Sequence, residues 1–335
     1  MNKLSKLGVS ALCGSLAAVS SANAGSLTVS GGIDMTWQSF DDAQTGNPIG
    51  IGSNYTLSGS GEMDNGWTVG LDIAMTNANA YSNTNVSVTV PALGSFRISQ
   101  GVSGSGIDRM DDKTPNVWEE AYASGLSTGI NTVAGASGGA NIEYTPNMLP
   151  DGISARVSWS PNAAGAGGAD KTSSGGSANN GSGYDVTLEL GEAVTGMTGL
   201  NLYGGMSNVA SEGLNNDGDR EEQTIGATYA MGGFTLGYQW SEEDLGISAN
   251  EQEYENEGYG ITFAINDDLS IGYNNYESKQ TSTTNVTAEA DSIQIAYSMG
   301  GASIRIMDAS ATNMDYSTAA SQDRDNTVIS VSLAF

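Results

Sequence analysis

The chain has 335 residues with 46 Gly, one Cys and no His, and 11 Lys and Arg against 38 Asp and Glu give a net charge of −27. Without His there is no Ser-His-Asp or Cys-His catalysis and no His-ligated zinc. One Cys excludes a disulfide framework, and so acidic a chain is a poor binder of nucleic acid, whose backbone is held through Lys and Arg.

Residues 1–24 carry Lys3 and Lys6, then a short apolar run from Leu7 to Val19, then the small-x-small sequence Ala22-Asn23-Ala24. This order predicts a cleaved signal peptide and an exported mature chain from Gly25. Cleavage removes Cys13 and leaves nine basic against 38 acidic residues, a net charge of −29. Residues 25–335 then read as a single domain. Beyond the leader no stretch approaches the roughly 18 apolar residues of a spanning helix.

From Gly25 onward the chain alternates with a period of two, the signature of β-strands. Leu27, Val29, Ile33, Met35 and Trp37 share one parity, and Thr28, Ser30, Asp34 and Thr36 the other. Trp67, Val69, Leu71, Ile73 and Met75 oppose Thr68, Asp72 and Thr76. Phe96 and Ile98 oppose Arg97 and Ser99. The same pattern runs through Ile153–Ser160, Tyr184–Leu190, Phe234–Trp240, Tyr259–Ile265 and Thr327–Phe335.

The connections alternate too. Short turns at 62–66, 91–94, 231–233, 266–268 and 299–301 are interleaved with long polar stretches at 161–182, 210–220, 242–252, 278–287 and 310–322. Pairing them predicts eight hairpins and about 16 strands, short turns at one end and long loops at the other, as in an outer-membrane barrel. A soluble β-sandwich uses the same alternation, but so many strands without a dividing linker exceed one sandwich. Glycine is abundant on the polar parity, where strands curve around a lumen. Aromatics close the apolar faces at Trp37, Trp67, Trp159, Tyr184, Trp240, Tyr259, Tyr297 and Phe335, as membrane-interface girdles do.

Arg97, Arg156 and Arg305 sit mid-strand on the polar parity. An arginine facing lipid near the midplane costs about 2–4 kcal/mol, so all three must point into the lumen. Asp34, Asp72, Asp185 and Glu189 share that parity and are expected to face the lumen with them. The longest connection, about 102–139, contains Asp108-Arg109-Met110-Asp111-Asp112-Lys113 and Glu119-Glu120. So long a segment without strands of its own is expected to have a function.

The strand Leu27-Thr28-Val29-Ser30-Gly31, the turn-strand Asp64-Asn65-Gly66-Trp67-Thr68-Val69-Gly70 and the closing Val331-Ser332-Leu333-Ala334-Phe335 resemble the general diffusion porins of Gram-negative bacteria, especially the alphaproteobacterial type. The resemblance spans Gly25 to Phe335. It implies an all-β, 16-stranded transmembrane barrel that assembles as a homotrimer, with the third long loop folded into the lumen as a constriction. It also implies that Phe335 is a signal for the barrel-assembly machinery. On the same grounds Arg97, Arg156 and Arg305 would form a basic wall across the pore from an acidic face of Asp108, Asp111, Asp112, Glu119 and Glu120. Arg109 and Lys113 would brace the loop by pairing with nearby carboxylates.

The chain contains no phosphate loop, dinucleotide fingerprint or zinc spacing. No cofactor is expected. Asn215-Asn216-Asp217-Gly218-Asp219 lacks the spacing and closing Glu of an EF-hand. The acidic stretches Glu242-Glu243-Asp244 and Glu251, Glu253, Glu255 and Glu257 suggest Ca²⁺ or Mg²⁺ at the extracellular rim, or simply a solvated loop end. The expectation is therefore a non-enzymatic, cation-preferring channel in the outer membrane, surrounded by lipid and passing small hydrophilic solutes. The alternatives are a substrate-specific channel and a plugged structural or adhesive barrel.

Overall fold

The computed structural model describes residues 27–40, 47–77, 80–100, 104–130, 132–138, 140–163, 180–211, 218–246, 252–281 and 285–334. Residues 1–24, where the sequence predicts a signal peptide, together with Asp217, Glu251 and Phe335, lie outside the described residues.

Among the described residues sixteen antiparallel strands pair in chain order, and β1 pairs with β16 to close a barrel. The first half comprises β1 (Leu27–Phe40), β2 (Ile49–Glu62), β3 (Thr68–Thr76), β4 (Ala80–Val90), β5 (Gly94–Gln100), β6 (Asn141–Pro146), β7 (Ile153–Ser160) and β8 (Asn180–Leu190). The second half comprises β9 (Leu200–Ser211), β10 (Arg220–Met231), β11 (Phe234–Asp244), β12 (Glu253–Ala264), β13 (Leu269–Thr281), β14 (Val286–Met299), β15 (Ala302–Thr312) and β16 (Arg324–Ala334). Closure leaves no open sheet edge, so every strand finds its backbone partners within the wall.

The side chains reverse the usual inside-out rule of soluble proteins. Buried positions on the wall are polar, including Ser99, Asp185, Thr187, Gln239, Asn274, Ser292, Gln294 and Ser330. Large apolar side chains are exposed, including Leu27, Ile51, Val86, Ile98, Val186, Leu236, Ile261 and Ile293. A β-sandwich would bury the second set, so the alternation faces outward to lipid. Among the described residues the aromatics expected at the band's edges are on this outer face, with Trp159 opposite Tyr184 across β7 and β8, and Phe234 stacks on Phe263 at 4.3 Å there.

Several expected loops are shorter than the sequence suggests. β11 continues through Glu242–Asp244, β12 begins at Glu253, and β13 reaches Thr281. The acidic residues there are strand residues, because alternation continues past the apolar band with carboxylates in the outward positions.

Candidate functional site

The segment 104–138 has three short 3-10 turns, at Gly106–Met110, Ala121–Ala123 and Gly135–Gly138, and packs against inward-facing wall residues. Wall carboxylates hold its backbone. Glu143 on β6 accepts the Gly106 N–H at 2.8 Å. Asp185 on β8 accepts the Ala136 N–H at 3.0 Å and the Ile107 N–H at 3.3 Å. Glu222 on β10 accepts the Ala134 and Gly135 N–H groups.

Farther around the wall the anchors are amides. Gln239 donates to the Met110 carbonyl at 2.7 Å, Asn274 to Glu119 O at 3.1 Å and Asn326 to Ser124 O at 2.8 Å. Two apolar patches complete the seat. Ile107, Met110 and Val133 pack on Tyr203, and Leu126 and Ile130 pack on Met307, Ala309 and Ala311. Inward glycines make room as well: a Cβ on Gly260 would lie 2.1 Å from the Pro115 carbonyl oxygen, and one on Gly237 would lie 2.2 Å from Pro115 Cδ.

Of the basic residues that the sequence places at the pore, all except Arg97 have a carboxylate partner. Arg109 grips Glu143 with Nε at 3.0 Å and Nη2 at 2.5 Å. Lys113 and Arg156 share Glu189, at 2.9 and 2.6 Å. Arg305 pairs with Asp34 at 2.8 Å and lies 5.1 Å from the centre of the Trp118 ring. Arg97 donates to Gly104 O at 2.6 Å and to Asn85 Oδ1 at 3.0 Å, with Asp72 and Glu143 as its neighbouring negative charges. The structure therefore brings Arg109 and Lys113 onto wall carboxylates, and it places Arg97 at the root of the loop.

Two expected lumen charges occupy different roles. Asp185 is fully buried beneath the loop as an anchor, because the Ile107 and Ala136 amides need an acceptor there. Glu120 is buried too, and its side chain accepts from Asn116 at 2.5 Å. Burial and its contact with Glu119 push its carboxyl up to about 9, so it is neutral at pH 7. Asp111 is pushed up to about 7, chiefly by burial and then by repulsion from Asp112 and Asp108. Burial also raises Asp108 and Asp112; Asp112 is nonetheless exposed. Asp112 and Glu119 take no part in the ion pairs among the described residues.

Facing β1 to β3 the lumen is open. Asn54, Asp72 and Thr76 have inward parity and are exposed, and a cavity of about 470 Å³ is lined by Asp34, Asn54, Thr76 and Arg305. On the long-loop side of the segment a second cavity, about 490 Å³, is lined by Asp111, Tyr122, Arg220, Glu222, Tyr254 and Tyr316. Arg220, Glu222 and Glu143 escaped the sequence reading. Their one signal was inward parity, which does not tell what a side chain meets inside. Among the described residues no three metal-ligating side chains converge.

A closed barrel, apolar outside and polar inside, with a long segment seated in its lumen, defines a transmembrane β-barrel channel. The chain belongs to the Gram-negative porin family, whose model matches residues 8–302. Solved structures share the fold. The anion-selective porin from Comamonas acidovorans is 14% identical over 93% of this chain and 100% of its own, with a TM-score of 0.70. A porin refined at 1.8 Å resolution is 14% identical over 92% of this chain and 100% of its own, with a TM-score of 0.64. A mutant of the Rh. blastica porin is 15% identical with the same coverage and a TM-score of 0.62. No curated protein matches the sequence.

Proposed function

We propose that the protein is a passive, water-filled channel of the outer membrane for small hydrophilic solutes and ions, probed most narrowly beside the segment 104–138 and preferring cations. It works as a homotrimer and carries out no reaction. The observation that carries this reading is the charge balance within the lumen. Arg305 is offset by Asp34, Arg97 stands beside Asp72, and Arg156 and Lys113 share Glu189; against the one positive charge that this sharing leaves over stand the carboxylates of Asp112 and Glu119, unpaired among the described residues. Carboxylates lining an aqueous passage raise the local cation concentration. The fold is shared with an anion-selective porin, so the sign of selectivity rests on this chain's own charges.

Stepwise conductance in a planar bilayer tests the channel itself. A general pore conducts in proportion to KCl concentration, and added sugars do not block it saturably. Saturable block would instead indicate a substrate-specific channel, and silent bilayers a plugged barrel.

A further inference from the structure

The outer face of β8 to β12 carries a feature that conduction does not use. On β9 the outward positions are Leu202, Gly204, Met206 and Asn208, and the register sets Gly204 between Leu188 on β8 and Ile225 on β10. Gly204 has no side chain to fill that gap, which leaves an apolar groove of about 400 Å³ walled by Val186, Leu188, Leu202, Met206 and Ile225. Met206 also borders a polar pocket of about 310 Å³ toward the long-loop end, where Tyr184, Asn208, Glu221, Glu242 and Glu253 converge. At about 3.4 Å per residue, Asn208 stands roughly 14 Å above Gly204. The two hollows adjoin at Met206 and together make a slot, apolar below and acidic above.

Among the described residues no ion pair joins Glu221, Glu242, Asp244 or Glu253, and the basic side chain on this face, Lys279, stands opposite Glu255. The register sets Glu221 opposite Asp244, Glu242 opposite Glu255 and Asp244 opposite Glu253, and like charges directly opposite across a sheet repel. Gln223 donates to Glu242 at 2.7 Å and Asn208 to Glu221 at 3.3 Å, which orients these carboxylates without neutralising them. The same charges argue against a second copy of the chain on this face, since two such rims would repel. By contrast, the outward positions of β1 and β2 that pair are free of carboxylates, running through Val29, Ile33, Met35, Ile51 and Leu57.

We infer that this slot binds one membrane amphiphile with an ammonium headgroup: its acyl chain lies in the groove over Gly204 and its ammonium sits among Glu221, Glu242 and Glu253. The test is lipid retention by the detergent-purified protein, read by native mass spectrometry. The probes are phosphatidylethanolamine, its N-acetylated form and phosphatidylglycerol, all with the same acyl chains. Phosphatidylethanolamine should be held about tenfold or more tightly than the other two, equivalent to at least ~1.4 kcal/mol. Gly204→Leu should abolish that preference by filling the groove. Met206→Trp fills it from the rim should the first variant fail to fold. Glu221→Gln with Glu242→Gln should lower phosphatidylethanolamine retention to that of phosphatidylglycerol, with conductance unchanged. Equal retention of the N-acetylated lipid would overturn the inference, as would phosphatidylglycerol binding that appears only with added Mg²⁺. A change of oligomeric size in Gly204→Leu would overturn it too, by assigning the groove to a subunit contact.

Discussion

Asp185→Ala should loosen both ends of the lumenal segment while leaving the barrel closed. The carboxylate is fully buried and accepts the Ala136 N–H at 3.0 Å and the Ile107 N–H at 3.3 Å, so it ties together two distant parts of the segment. Alanine would leave both donors buried without an acceptor, at about 1–3 kcal/mol each, or roughly 2–6 kcal/mol against the seated state. Relief of the carboxylate's own burial offsets part of this. A net loss of about 3 kcal/mol still shifts the ratio of seated to unseated segment by more than a hundredfold. The strand itself is held by backbone pairing with β7 and β9, which the substitution leaves alone. Single-channel recordings should show excess current noise and added conductance levels, and limited proteolysis should cut within 104–138. Asp185→Asn keeps one acceptor oxygen and should fall between the two. A quiet trace and a protease-resistant segment in a correctly folded alanine variant would refute the anchoring argument.

Selectivity should depend on pH through Asp111, whose carboxyl stands near 7. It is neutral below that value and charged above it, so the K⁺/Cl⁻ permeability ratio should climb between about pH 6 and 8; a flat ratio across that window would contradict the assignment. Because its folded pKa lies above its unfolded one, Asp111 contributes a destabilisation that builds as pH rises from about 4 to 7 and is complete above it. Current noise from the segment should therefore be lowest in mild acid. Asp112→Asn with Glu119→Gln should lower the permeability ratio several-fold, whereas Arg305→Ala should raise it by releasing Asp34, both read from reversal potentials. Unheated samples in dodecyl sulfate should run as a compact trimer that converts to monomer on boiling, as closed barrels resist detergent; identical mobility before and after boiling would count against trimeric assembly.

Alternation alone carried most of the wall. Strands with a clean apolar parity, such as Ile153–Ser160 and Phe234–Trp240, stand where the pattern puts them. β2, with Ile49, Ile51, Tyr55 and Leu57 among glycines and serines, is visible chiefly through the need to close a hairpin. The ends of β11 and β12 were masked because Glu and Asp read as loop residues, although strand pairing continues beyond the apolar band. The position of the lumenal segment was legible from its length and charge. Its seat was not: parity shows that Asp185, Glu222 and Gln294 point inward, but the partner backbone lies far away in sequence. The apolar inward residues Met307, Ala309 and Ala311 break the polar pattern of β15, and they do so where Leu126 and Ile130 land. Glycines on the polar parity likewise proved to be more than points of curvature, since Gly237 and Gly260 admit Pro115.

The most direct test of the account is the reversal potential of the unmodified protein in a planar bilayer under a KCl gradient at low ionic strength, near neutral pH. At about 0.1 M the Debye length is near 10 Å, so the excess charge of Asp112 and Glu119 reaches into the lumen; at 1 M it falls to about 3 Å. The account predicts a potential of the sign that marks K⁺ as more permeant than Cl⁻, shrinking as both solutions are made more concentrated. A chloride-selective potential, or one that does not change with salt, would contradict it.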